Sequence, residues 1–166
     1  SDSVHKINLG ETYITDKAVK SLTNASTISF RECRNITDEG VKYLLSQNQT
    51  TNTIKTINLH YCTQLSNNVL KLLAGIPYIE LFHCTQLNDD TLSCLRGVYH
   101  IGLGKCTSIT NDGIKQLAGV HVIDISHIAC VDNSTLKALA GAHTIFLDSA
   151  TVTDEGIQYL IGVKNI

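Results

Sequence analysis

The sequence has no Cys-x-x-Cys pair among its six cysteines, Cys33, Cys62, Cys84, Cys94, Cys106 and Cys130. It therefore has neither the ligand spacing of a zinc site nor that of a dithiol redox site. Proline occurs once, at Pro77. No apolar run approaches the roughly 18 residues of a membrane span. Neither sign of charge dominates, and a formal net charge of -2 gives no electrostatic case for nucleic acid or an anionic membrane as partner. Also missing are Gly-x-Ser-x-Gly, His-Glu-x-x-His and a phosphate loop. The stretch "GLGKCTS" at Gly102 to Ser108 lacks the upstream glycine of a phosphate loop and places Cys106 where the hydroxyl would be. These absences predict a non-catalytic chain with no cofactor and no bound metal.

The 166 residues are 43% apolar and 17% charged, which suits one globular domain with a sizeable core. Such a chain needs no disulfide staples, so the thiols read as reduced and the protein as intracellular (cytoplasmic). Against this stand Asn-x-Ser/Thr sequons at Asn24, Asn35, Asn48 and Asn133. They keep open a secreted or cell-surface protein.

The positive signal is repetition. "CRNITDEGVKYL" from Cys33 returns as "CTSITNDGIKQL" from Cys106. Aligned on the first aliphatic residue of each Ile-x-Leu-like pair, the units carry Ile7, Ile28, Ile57, Ile79, Ile101, Ile123 and Ile145, with Ile166 opening an eighth. One long step separates Ile28 from Ile57, and residues 46–52 read as a loop inserted there. Ile and Leu two apart face the same way on a short strand. In the second half, Val41 and Leu44 are three apart, a helical step. Thr37 or Asp38 is placed to cap that helix, and Asp16, Asp89 and Asp154 read as further helix starts. Gly75, Gly97, Gly119, Gly141 and Gly162 stand where a helix end wants a left-handed residue. Each unit is thus strand, turn, helix, turn. Stacked units bury the edges that a lone unit would expose. The expected fold is an α/β solenoid of about seven repeats, curved, with a parallel sheet on the concave face and helices on the convex face. It forms one domain over residues 1–166, with units starting near 4, 25, 54, 76, 98, 120 and 142.

The phrase Leu-x-x-Cys-x-x-Ile-Thr-Asp-x-Gly-h-x-x-Leu, where h is aliphatic, resembles the cysteine-containing class of leucine-rich repeats. The likeness runs from Val4 to Val163, with Thr12, Ile128 and Ala150 in place of Cys in the first, sixth and last units. That class is best known from F-box substrate adaptors of ubiquitin ligases, and the resemblance implies a substrate-recognition role of that kind. A host-directed factor would carry the same pattern.

The repeat register predicts the exposed sheet face. Cys33, Cys62, Cys84 and Cys106 form one buried column, pointing away from His60 and His83, which argues against a Cys–His metal site. Cys94 reads as an end-of-core residue on a helix. His121 and His143, like His5, read as a repeat habit rather than a site. Out-facing residues run in rows across the strands. In the middle units Tyr61, Tyr78, Phe82, His83 and His100 fall together with His60 and Glu80. Aromatic side chains with a charged rim suit a protein-contact surface, so these seven residues are the expected partner-binding site. Gly102 and Gly104 beside them read as a shallow notch for a partner side chain. Mixed charge across the face (Arg31 and Lys105 against Glu11, Glu32, Glu80, Asp124 and Asp148) argues against a phosphate-reading surface. A structural spacer without a partner on this face is the remaining alternative. The array closes on Ile166 without a polar capping segment, which predicts either further repeats or end-to-end self-association.

Overall fold

A computed structural model describes residues 5–47, 54–148 and 151–166. Seven strands lie side by side in chain order in one parallel sheet: β1 (His5–Asn8), β2 (Ala25–Ser29), β3 (Thr56–Asn58), β4 (Tyr78–Glu80), β5 (His100–Gly102), β6 (Val122–Asp124) and β7 (Thr144–Phe146). The register follows the repeat. Ile28 pairs with Ile57, Ile57 with Ile79, Ile79 with Ile101, Ile101 with Ile123 and Ile123 with Ile145. Each of these isoleucines is fully buried, as are Phe30, Leu59, Leu81 and Leu103 two residues later. A second ladder is made of helices: α1 (Asp16–Val19), α2 (Asp38–Gln47), α3 (Asn68–Leu72), α4 (Asn111–Lys115), α5 (Asn133–Ala138) and α6 (Asp154–Gln158), with a 3-10 helix at Leu92–Leu95 in the fourth unit. The buried residues of both ladders form one continuous core. Ile145 N–H donates to Asn165 O at 3.0 Å, which begins an eighth strand where the spacing places Ile166.

Two columns of turn residues hold the stack. The first is the cysteine column. Each cysteine N–H closes a β-turn onto the carbonyl three residues back, as in Cys84 N to Leu81 O at 3.1 Å. Each thiol then reaches into the unit before. Cys33 Sγ donates to Leu9 O at 3.0 Å, Cys62 to Phe30 O at 3.1 Å, Cys84 to Leu59 O at 3.2 Å and Cys106 to Leu81 O at 3.1 Å. A carbonyl has two lone pairs. Phe30, Leu59 and Leu81 use one within the unit and one between units. Burial first, and the neighbouring Cys33 next, pushes the Cys62 thiol up to about 12. Burial takes Cys106 to about 12 as well. These thiols stay protonated, so they donate hydrogen bonds and are poor nucleophiles or metal ligands.

The second column lies on the helix side and bridges one unit to the next. Asp16 accepts from Thr37 N–H at 3.0 Å and from its hydroxyl at 2.7 Å, in the next unit. Asp38 does the same for Ser66 and Asp89 for Thr110, while Asn133 accepts from Thr153 N–H and donates its amide N–H to the Thr153 hydroxyl. Of the two expected caps of α2, Thr37 serves and Asp38 does not, and Thr110 and Asp132 cap α4 and α5, while Asp16, Asp38 and Asp154 begin helices as expected. Asp89 begins no helix. In three units a glycine, three residues after the bridged threonine, lies against the bridging side chain. A Cβ on Gly40, Gly113 or Gly156 would stand 2.2, 2.1 or 2.1 Å from the bridging oxygen of Asp16, Asp89 or Asn133. In the fourth unit Thr91 takes the glycine's place. It holds φ 69° and its hydroxyl donates to Asn67 O, and the helix there is a single 3-10 turn.

Three further expectations change. Ser46 and Gln47 are the last turn of α2 and not loop. The rest of the expected insertion, with Val4, Asn48 and Ala150, lies outside the described residues. Gly75, Gly97 and Gly119 have the left-handed φ, but Gly141 and Gly162 do not. Cys94 is exposed on the 3-10 helix and adds nothing to the core.

Candidate functional site: the central sheet face

The strand register places the expected residues in adjoining rows. Thr56, Tyr78 and His100 share one row, Asn58, Glu80 and Gly102 the next. His60 and Phe82 follow in a third row, fixed by the hydrogen bonds Glu32 N to His60 O and Tyr61 N to Phe82 O. Tyr61 and His83 come one residue later, with φ of 58° and 61°. Glu11, Glu32, Lys105 and His127 occupy the equivalent position at φ 60–62°. This left-handed residue turns the chain from the sheet to the buried cysteine and leaves its own side chain on the rim.

Glu80 is the centre. Its carboxylate accepts from Nε2 of His100 at 2.8 Å and of His60 at 3.1 Å, all three side chains being roughly a quarter exposed (23%, 24% and 30% for His100, His60 and Glu80). Donation to an ionised acceptor places a ring proton of each imidazole on Nε2. Burial by itself raises the Glu80 pKa. The hydrogen bonds from His100 and His60, with the charge of those rings, outweigh it and hold the carboxyl down at about 2.

Aromatic rings flank this clasp. Phe82 lies 5.6 Å from the His60 ring and 5.9 Å from Tyr61, and Tyr61 stacks on His83 at 4.5 Å. Lys105 Nζ stands 5.5 Å over Phe82. On the other side Tyr78 stacks on His100 at 6.0 Å and meets Tyr99 at 5.1 Å. All seven expected residues thus form one patch, with Tyr78 40% and Tyr99 45% exposed.

The glycine notch is filled from within. A Cβ on Gly102 would stand 2.0 Å from Glu80 Oε2, and one on Gly104 would stand 2.7 Å from Phe82 Cδ2. Both glycines are buried beneath those side chains. They shape the patch by letting Glu80 and Phe82 lie flat across β5, and they leave no opening for a partner.

Sequence reasoning missed the edge where the strands begin. Tyr99 stacks on His121 at 4.6 Å and His121 on His143 at 4.6 Å. The signal was present, since all three stand two residues before the strand isoleucine at a constant spacing of 22. His127 Nδ1 also pairs with Asp148 at 2.6 Å at the far end of the face. No group of three or more His, Cys, Asp or Glu side chains among the described residues is arranged to hold a metal. No described helix is long and apolar enough to cross a membrane.

No protein-family model and no curated protein matches the sequence. Solved structures do match its fold. The Rad7–Elc1 complex of yeast aligns over 92% of this chain with a TM-score of 0.71 and 16% identity. The complex of TLR13 with ssRNA13 aligns over 96% at 0.59 and 15%. Internalin C2 of Listeria monocytogenes aligns over 92% at 0.54 and 15%. This chain spans 44% of the Rad7–Elc1 chain, 32% of the TLR13 chain and 74% of the internalin chain. With the seven in-register strands, these likenesses define the fold as a leucine-rich-repeat solenoid.

Proposed function

We propose that this chain is a non-catalytic recognition module that holds another protein on its concave sheet face, through Tyr61, Tyr78, Phe82 and His83 around the His60–Glu80–His100 clasp. The observation that carries this reading is the packing of these rings into one half-exposed patch on a rigid sheet. Preorganised aromatic side chains bury large area at low entropic cost. The finer reading is substrate recognition within a ubiquitin-ligase adaptor, supported by the cysteine column and the Thr-Asp-x-Gly phrase. The complex of the structurally similar Rad7 with Elc1 is compatible with a protein partner. Mixed charge on the face favours protein over nucleic acid.

A pull-down from cell lysate with the parent chain and a Tyr61→Ala, Phe82→Ala double variant tests this, with circular dichroism to show that the variant folds. The reading expects partners captured by the parent and lost by the variant, ubiquitin-ligase subunits among them. Equal capture by both would remove the patch as the main site. A second reading, an extracellular recognition domain, is favoured by exposed Asn24 and Asn35 in their sequons. Glycan mass on either residue in protein from native cells would select it, and free thiols without glycan would select the intracellular reading.

A further inference from the structure

Beside the central patch, at the edge where β4 and β5 begin, lies a cavity of about 290 Å³. Ile76, Pro77, Val98 and Tyr99 give it an apolar lining. Gly75 and Gly97 line it as well. Both have left-handed φ, and a Cβ on either would meet nothing within 4 Å. The single 3-10 turn of the fourth unit brings Cys94 and Arg96 to the same cavity, both exposed. Arg96 is its only charged lining residue and forms no ion pair among the described residues. Its size is at the low end for ligand pockets of about 300–1,000 Å³, enough for one side chain and too small for a cofactor. The lining is continuous with the recognition face, because Tyr99 meets Tyr78 at 5.1 Å.

We propose that this cavity seats a large aliphatic side chain from an internal segment of a partner protein, with an adjacent Asp or Glu of that segment paired to Arg96. An apolar cavity selects the first group. The unpaired guanidinium selects the second, because a carboxylate meets it with two parallel hydrogen bonds. Continuity with Tyr78 gives an internal segment room to run on across the sheet. The inference extends the concave-face reading but is tested apart from it.

Cys94 is a built-in reporter, and exposed Cys130 is its internal control. The probe is the blocked peptide acetyl-Gly-Leu-Glu-Gly-amide, and the readout is the iodoacetamide alkylation rate of each cysteine by peptide mass spectrometry. At a peptide concentration near a Kd of about 1 mM, half the cavities are filled and Cys94 alkylation slows about twofold. Cys130 keeps its rate. Replacing Leu by Ala or Glu by Gln in the peptide weakens the protection, and Arg96→Gln in the protein removes the difference between the Glu and Gln peptides. Equal protection by the Leu and Ala peptides, equal protection by the Glu and Gln peptides, or none from any peptide would overturn the proposal. The Tyr61→Ala, Phe82→Ala variant should protect Cys94 as the parent does, so failure of the main site and failure of this cavity are read separately.

Discussion

Two columns of residues run along the solenoid one position apart. One contains Cys33, Cys62, Cys84 and Cys106, all fully buried, each bonded to the unit before. The other contains Glu11, Glu32, Tyr61, His83, Lys105 and His127, all left-handed and none buried. They share a turn, yet the first column repeats one chemistry and the second has acids, aromatic rings and a base. Inside the turn Cys33, Cys62, Cys84 and Cys106 meet the same need, a small donor for the preceding unit's carbonyl. Outside it the backbone is fixed and the side chain is unconstrained. Whatever distinguishes this chain from any other stack of similar units therefore lies in the outer column and the strand rows beside it.

The largest effect should come from breaking the inner column. Cys62→Ala with Cys84→Ala should cost about 2–4 kcal/mol in urea unfolding, from lost packing and two lost inter-unit bonds. Tyr61→Ala with His83→Ala, one residue earlier in the same turns, should cost no more than about 0.5 kcal/mol per site. Equal losses in the two pairs would end the distinction between the columns. Gly113→Ala should cost about 2 kcal/mol, since the new methyl displaces the Asp89 carboxylate that bridges to Thr110. Asp89→Ala in that background should then add little.

A smaller effect sharpens the outer column. At φ 60° a side chain strains the backbone. Lys105→Gly should therefore be more stable than Lys105→Ala by about 1 kcal/mol in thermal or urea unfolding. The reverse order would show that the turn is not held left-handed in solution.

The acid dependence of the clasp sharpens the comparison through pH. The Glu80 carboxyl is depressed from its ordinary 4.5 to about 2 on folding. The folded state then binds fewer protons than the unfolded chain between those values, and Glu80 contributes stability above about pH 4.5 that is lost as pH falls toward 2. Glu80→Gln should be less stable than the parent at pH 6, and the two should converge near pH 2. A difference constant across that range would mean that the two histidines do not hold Glu80 ionised.

The fold was legible because its cause is periodic. Ile-x-Leu at a spacing of 22 dictates which strand residues pair, and the observed register follows it from Ile57 to Ile145 and carries across the longer step from Ile28. The seven site residues came together for the same reason. Spacing says which residues are neighbours and leaves open where a side chain goes. Asp38 could cap its own helix or reach the next unit, and only its hydrogen bonds from Ser66 show the reach. Gly102 and Gly104 looked empty in sequence and are covered by Glu80 and Phe82. The Tyr99–His121–His143 stack was missed because one ring per unit looks incidental until the pitch of the sheet brings the rings together.

The central claim is that the sheet face, and not the helix face, meets the partner. A photo-crosslinking residue placed at Tyr78, or separately at Lys137 on α5, tests it in lysate from the native host. The account predicts discrete covalent adducts from position 78, suppressed by Phe82→Ala, and none from position 137. Adducts from position 137 alone, or adducts from 78 that Phe82→Ala leaves untouched, would contradict it.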